Sequence, residues 1–188
     1  MGLLGLFTRR PHERAGFALY GAAVGAARQP VYFDRLGVPD TLDGRFDLVS
    51  FHVALLINRL RHDGDAQGPK LAQAVFDAMF ADMDVNLREM GVGDLVVGKR
   101  VKKMWEAFHG RAAAYEAAFE SGDWAALAEA LSRNVWRGEA PEGAPAELAA
   151  QGGRIRASLA DQPLARLLKG EASFPPAPPE SVPVAVGA

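Results

Sequence analysis

The chain has 188 residues, 49% of them hydrophobic and 23% charged, with a formal net charge of −2 and an isoelectric point near 6.1. These proportions suit one globular domain with room for a tail, and the near-neutral balance argues against a dedicated nucleic-acid binder, DNA included, which would carry a basic excess. With no cysteine anywhere, disulfide staples, zinc–thiolate knuckles and thiol catalysis are excluded.

The first ten residues, Met1-Gly-Leu-Leu-Gly-Leu-Phe-Thr-Arg-Arg10, put an apolar run ahead of the charges, the reverse of a secretory leader. They are expected to form a flexible N-terminus (1–10) of a mature chain. Gly2 stands where myristoylation starts, but Leu6 occupies the position that motif gives to Ser or Thr. The most apolar stretch, residues 46–60, carries Asp47, His52, Asn58 and Arg59 and falls short of the roughly 18 apolar residues a membrane span needs. The expectation is a cytoplasmic chain, with peripheral contact at the inner membrane as its closest approach to lipid.

Ala, Leu, Arg and Glu dominate, apolar residues recur at helical spacing, and alternating β-branched runs are absent. This predicts an all-α class: a compact bundle of six or seven helices over residues 11–170, followed by a disordered Pro-rich tail, 171–188. A first helix over residues 11–28 has Phe17, Tyr20 and Val24 on one side, with Gly21 and Gly25 allowing close backbone approach, and Pro30 ends it. Residues 31–42 read as an ordered loop. Thr41 or Asp43 caps a second helix, 44–62; Pro69 opens a third, reaching Met90; Asp94 caps a long fourth, to Ser121; Asp123 caps a fifth, through Trp136. Residues 146–169 hold one or two shorter helices, interrupted at Gly152, Gly153 and Pro163.

The second helix is apolar on two sides, and Arg45, His52 and Arg59 form a narrow polar strip between them, spaced seven apart. The strip is either a solvent-facing seam or one that faces an anion or a partner. On the third helix Phe76, Met79, Phe80, Met83, Leu87 and Met90 fall within about a third of the circumference. They suit core packing, and also a groove for an apolar client, because methionine side chains adapt to varied shapes. The fourth helix gathers Val97, Val101, Met104, Trp105, Phe108, Tyr115 and Phe119 on one face and Lys99, Lys102 and Lys103 on the other. Lys99 and Lys103 repel at i, i+4, so the basic cluster does not help the helix and invites a partner.

Motifs for chemistry fail. Glu106 and His109 match one Glu-x-x-His pair, whereas a di-iron bundle needs two such pairs and two further glutamates, all pointing inward. The four histidines lie in separate elements, no serine sits in a nucleophile elbow, and Gly91-Val-Gly93 joins two helices rather than a strand to a helix. No catalytic residue, metal site or cofactor is expected.

Three strings carry a resemblance: Leu36-Gly-Val-Pro-Asp-Thr-Leu-Asp-Gly-Arg-Phe-Asp47, Met79-Phe-Ala-Asp-Met-Asp84, and the run from Leu87 through Gly91-Val-Gly-Asp-Leu-Val-Val-Gly-Lys-Arg-Val-Lys-Lys-Met104. With Phe108-His-Gly-Arg111 and Tyr115, they make residues 20–119 resemble the ubiquinol-cytochrome c chaperone family. The resemblance implies a non-enzymatic assembly factor of the cytochrome bc1 complex that engages cytochrome b before it is built into the respiratory chain. Relatives occur in mitochondria and in alphaproteobacteria; the mitochondrial ones work with a small second subunit near the ribosomal exit. The Ala-rich, Arg-over-Lys usage here looks bacterial. The family has an aromatic residue where His109 stands, one more reason not to make it a ligand.

On that basis Phe80, Met83, Trp105 and Tyr115 are expected to frame a groove for a cytochrome b segment, with Asp40, Asp43, Arg45, Asp82 and Glu89 at its rim. Lys99, Lys102 and Lys103 would face the ribosome or an anionic membrane surface. The alternatives are a helical haem-handling protein, with His52 as the candidate ligand, and a membrane-surface adaptor.

Overall fold

The computed structural model describes residues 12–177, whose regular structure is helical throughout: α1 (Glu13–Ala27), α2 (Pro30–Asp34), α3 (Leu42–Arg61), α4 (Gln67–Glu89), α5 (Asp94–Ser121), α6 (Trp124–Val135), α7 (Ala144–Ala160) and α8 (Leu164–Leu167). The expected N-terminal segment 1–10 and residues 178–188 lie outside the described range. Among the described residues no helix is long and apolar enough to cross a membrane.

α3 is the axis of the bundle. Thr41 starts it, its Oγ1 accepting from the Gly44 N–H at 3.2 Å. Because two of its sides are apolar, α3 is enclosed from Phe46 to Leu56 and touches α1, α4, α5, α6 and α7. α4 and α5 form an antiparallel hairpin against α1 and α3, and α6 and α7 close the other side.

The eight helices exceed the expected six or seven by α2, which forms where a loop is expected; α7 and α8 are the two shorter helices, separated at Pro163. Pro30 ends α1 but opens α2, since its fixed φ suits a first helical turn, and α2 buries Tyr32 completely. α8 follows Pro163 as a separate turn. By contrast α7 runs unbroken through Gly152 and Gly153, which face Phe51 and Trp124: a Cβ at either position would sit 2.5 or 2.7 Å from those rings. Close approach of α1 to α4 occurs at Gly16, where an added Cβ would stand 2.7 Å from the Ala74 backbone; Gly21 and Gly25, expected to do this, face open space.

Residues 171–177 have no regular secondary structure, as expected of a Pro-rich stretch, yet they lie along the body instead of hanging free of it. Glutamine carboxamides hold them. Gln151 Nε2 donates to the carbonyls of Pro175 and Pro176, Gln29 Oε1 accepts from the Ala177 N–H at 2.8 Å, and Gln162 makes both bonds to the Ser173 backbone. Phe174 packs on the core beside His52, so this segment contributes apolar burial that composition alone underestimates.

Candidate partner-binding groove

The turn of Met and Phe residues on α4, the start of α3 and the first half of α5 leave an open groove between them. It consists of two contiguous cavities of about 190 and 470 Å³ that share Leu42, Phe46, Leu87 and Met104 as an apolar middle. The smaller one adds Tyr20, Val49, Met83 and Met90, with Arg28 and Arg45 at its edge. The larger one is walled by Arg100, Lys103, Arg111 and Arg137, with Asp43 and Asp47.

Its deepest charge is Asp47, whose side chain α3 buries to 1% exposure. Arg111 from α5 pairs with Oδ1, and Arg137, just beyond α6, places Nη1 2.8 Å from Oδ2. Burial raises this carboxyl above its ordinary range, and the two guanidiniums pull it back. Arg111 also lies over the Phe46 ring, 6.0 Å from its centroid, so it joins the apolar floor to the charged wall. Arg137 is the described non-glycine residue with positive φ, +58°, and Gly138 follows at +88°. That left-handed turn, together with the Trp136 Nε1–H donated to the Leu36 carbonyl at 3.0 Å, aims the end of α6 back at the groove.

Of the residues expected at the site, Asp43, Arg45, Met83 and Lys103 line the groove. Two others stand one step behind. Asp40 holds Arg45 at 2.5 Å, which keeps its own carboxyl below the usual carboxylate range, and Asp82 accepts from the Tyr20 hydroxyl at 2.7 Å. Phe80 is half-buried against Phe76 and Phe108, with centroids 4.7 and 6.2 Å away. Glu89 and Lys99 are exposed outside the groove, Lys102 pairs with Glu106 at 3.8 Å, and Trp105, 46% exposed, stands edge-on to His109 at 4.2 Å.

Tyr115 does not reach a rim. It is buried edge-on to Phe51, its hydroxyl accepts from Asn134 Nδ2 at 3.1 Å, and burial pushes its pKa up to about 12. The apolar face of α5 therefore divides: its first half meets the groove, its second half enters the core. The basic and apolar faces also meet rather than oppose, because Lys103 and Met104 line the same cavity. Arg28, Arg100, Arg111 and Arg137 are groove residues that face counts alone do not single out.

The polar strip of α3 is not a solvent seam. His52 is fully buried among Tyr32, Phe51 and Phe174; its Nδ1 donates to the Leu48 carbonyl at 2.8 Å, and burial lowers its pKa to about 4. Its Nε2 faces the Tyr32 hydroxyl at 3.4 Å, which leaves it no open approach for haem iron. Arg59 binds Asp63 and the carbonyls of Leu159 and Gln162, tying α3 to the end of α7. Arg45 alone of the three faces the groove. Glu106 and His109 are both exposed. Among the described residues the donor atoms of His62, Glu116 and Glu120 converge within 4.8 Å, in an open slot where Arg59 and Arg156 already supply positive charge.

Residues 34–174, which include α3, α4 and α5 entire, match the family model described as Ubiquinol-cytochrome C chaperone. A relative from Xenopus laevis named ubiquinol-cytochrome-c reductase complex assembly factor 1 is 26% identical over 121 residues, 64% of this chain and 60% of its own length. The crystal structure of the Cbp3 homolog from Brucella abortus superposes with a TM-score of 0.78 at 36% identity, covering 92% of this chain and 96% of that one. With most of its length matched by the family model and nearly all of it by that fold, the chain belongs to the ubiquinol-cytochrome C chaperone family.

Proposed function

We propose that this protein is an assembly chaperone of the cytochrome bc1 complex and that the groove between α3, α4 and α5 holds a segment of newly made cytochrome b. The observation that carries the reading is the groove itself: an apolar middle, edged by cations, in a protein whose family is named for chaperoning. A membrane-protein segment outside the bilayer presents apolar side chains that water disfavours, at roughly 25 cal/mol per Å². Met83, Met90 and Met104 offer a deformable surface for it, in the manner of helix-in-groove recognition. The charged side chains bind each other and a client, so the work is holding and release, without catalysis.

Complementation provides the test. A strain lacking the protein loses most bc1 complex, measured as dithionite-reduced cytochrome b absorbance in membranes. The wild-type chain restores it, and Met104→Glu combined with Leu42→Asp restores less than a fifth at equal protein level. Normal bc1 content in the deletion strain, or full rescue by the groove variant, would sink the reading.

A membrane-surface contact is favoured by a second observation. Val85, Met90, Leu95 and Val96 are exposed together where α4 turns into α5, Leu95 to 89%, and Lys99 and Lys102 follow on the outer face of α5. This tip can rest at a bilayer interface while the groove beside it receives the client. Flotation with vesicles of phosphatidylcholine and phosphatidylglycerol tests it; Leu95→Asp abolishes flotation if the tip is the contact, and leaves it intact if it is not.

A further inference from the structure

The two ends of the groove carry charge of the same sign. Arg28 and Arg45 stand at one end and Arg100, Lys103, Arg111 and Arg137 at the other, with Leu42, Phe46, Leu87 and Met104 between them. Asp40 answers Arg45, and Asp47 is shared by Arg111 and Arg137. Asp43 is the remaining carboxylate in the lining. Asp82 stands behind Tyr20 at the Arg28 end, its carboxylate taken by the Tyr20 hydroxyl. Among the lining residues both ends therefore keep a cationic excess, in a chain whose formal net charge is −2. The excess is local and placed around an apolar surface.

We infer that the groove selects a polypeptide segment with carboxylates at both ends of an apolar stretch. The inference rests on the chaperone reading of the same groove and adds the chemistry of what it accepts. A single lipid headgroup places its charge at one end of its apolar part, and so leaves one cationic end of this groove unmatched. A peptide with an acid–apolar–acid pattern matches both. Arg137 is well placed to take one of those acids, since Asp47 and the Asn134 carbonyl both engage Nη1 while 51% of its side chain stays open to an incoming carboxylate. The pattern also discriminates. Cytoplasmic loops of membrane proteins are enriched in Lys and Arg, so a basic groove repels most such loops and admits the minority that carry acids.

Three designed 15-residue peptides share one apolar centre and carry two Glu, two Gln or two Lys at the flanks; each is fluorescently labelled and titrated with the full chain. The Glu peptide binds at least tenfold tighter than the Gln peptide at 50 mM salt, the Lys peptide more weakly than either, and the Glu advantage shrinks at 500 mM salt. Arg100→Glu with Lys103→Glu, both exposed and outside the core, removes the Glu advantage while the circular dichroism spectrum is unchanged. Equal binding of Glu and Gln peptides, or binding of neither, overturns the inference. Binding of phosphatidylglycerol bicelles to the groove with no binding of the Glu peptide overturns it in favour of a lipid. Since the peptides are not taken from cytochrome b, charge selectivity with no capture of cytochrome b in cells would leave this inference standing and remove the client's identity.

Discussion

Arg137 and Asp47 meet across 90 positions of chain, the guanidinium Nη1 2.8 Å from a carboxylate that α3 buries, and Arg137 does so from a left-handed backbone turn. Asp47 is thus a buried anion held from two sides, and the two sides are unequal. Arg111 is 17% exposed and Arg137 51%.

Arg111→Ala leaves the buried carboxylate with its more solvated partner and costs about 3 kcal/mol. Arg137→Ala costs about 1 kcal/mol, since water replaces a half-exposed guanidinium. Arg137→Gly is about 1 kcal/mol more stable than Arg137→Ala, because glycine adopts φ +58° without a Cβ clash. Urea unfolding followed by circular dichroism ranks the three; an alanine variant as stable as the glycine one contradicts the backbone argument.

The glycines of α1 divide by what lies opposite them. Gly16→Ala forces a Cβ to within 2.7 Å of the Ala74 backbone and lowers stability by about 2 kcal/mol as the helices part. Gly21→Ala and Gly25→Ala point into open space and each raise stability by roughly 0.5–1 kcal/mol through helix propensity. Melting temperatures moving in opposite directions are the readout.

His52 makes stability depend on pH. Its folded pKa is near 4 and its ordinary value 6.5, so as pH falls the unfolded chain takes up the proton first. The contribution is complete above pH 6.5 and is lost on the way down to 4, about 2 kcal/mol of it between pH 7 and 5. His52→Asn, whose amide can still donate to the Leu48 carbonyl, flattens that part of the profile. Asp47, raised by burial, acts with the opposite sign, so comparing wild type with the His52 variant isolates the histidine. An unchanged slope in the variant shows that His52 is not the titrating group.

The segment 171–177 contributes to stability through its glutamine bonds and the packing of Phe174. Phe174→Ala lowers stability by about 2 kcal/mol, and Gln162→Ala by about 1 kcal/mol, in thermal unfolding. A free tail would show no change for either.

The longer helices were legible because they bury apolar stripes at helical spacing, and Thr41 and Asp123 announce two of the starts by capping chemistry. What was not legible depends on partners far away in sequence. The face count placed His52 in a polar strip, but Tyr32 of α2 and Phe174 cover it, and neither is visible from α3 alone. Tyr115 shares the apolar face of Met104, yet α3 and α6 enclose it while the groove leaves Met104 half-buried. In the groove, Met83, Asp43 and Arg45 were readable from local pattern and from the family resemblance. Arg111 stands in a resembling string, but neither it nor Arg137 was singled out for the groove, since their common partner Asp47 lies 64 and 90 residues earlier. Arg137 followed by Gly138 at a helix end was the one local hint, and such pairs also occur at ordinary helix termini.

The most direct test of the central claim is photo-cross-linking in living cells from a photoreactive amino acid placed at Met104, the residue common to both halves of the groove. A covalent adduct with newly made cytochrome b forms there before bc1 complex is complete, and is absent when the same probe replaces Ala165 on α8. Adducts of cytochrome b from Ala165 with none from Met104 would contradict the claim.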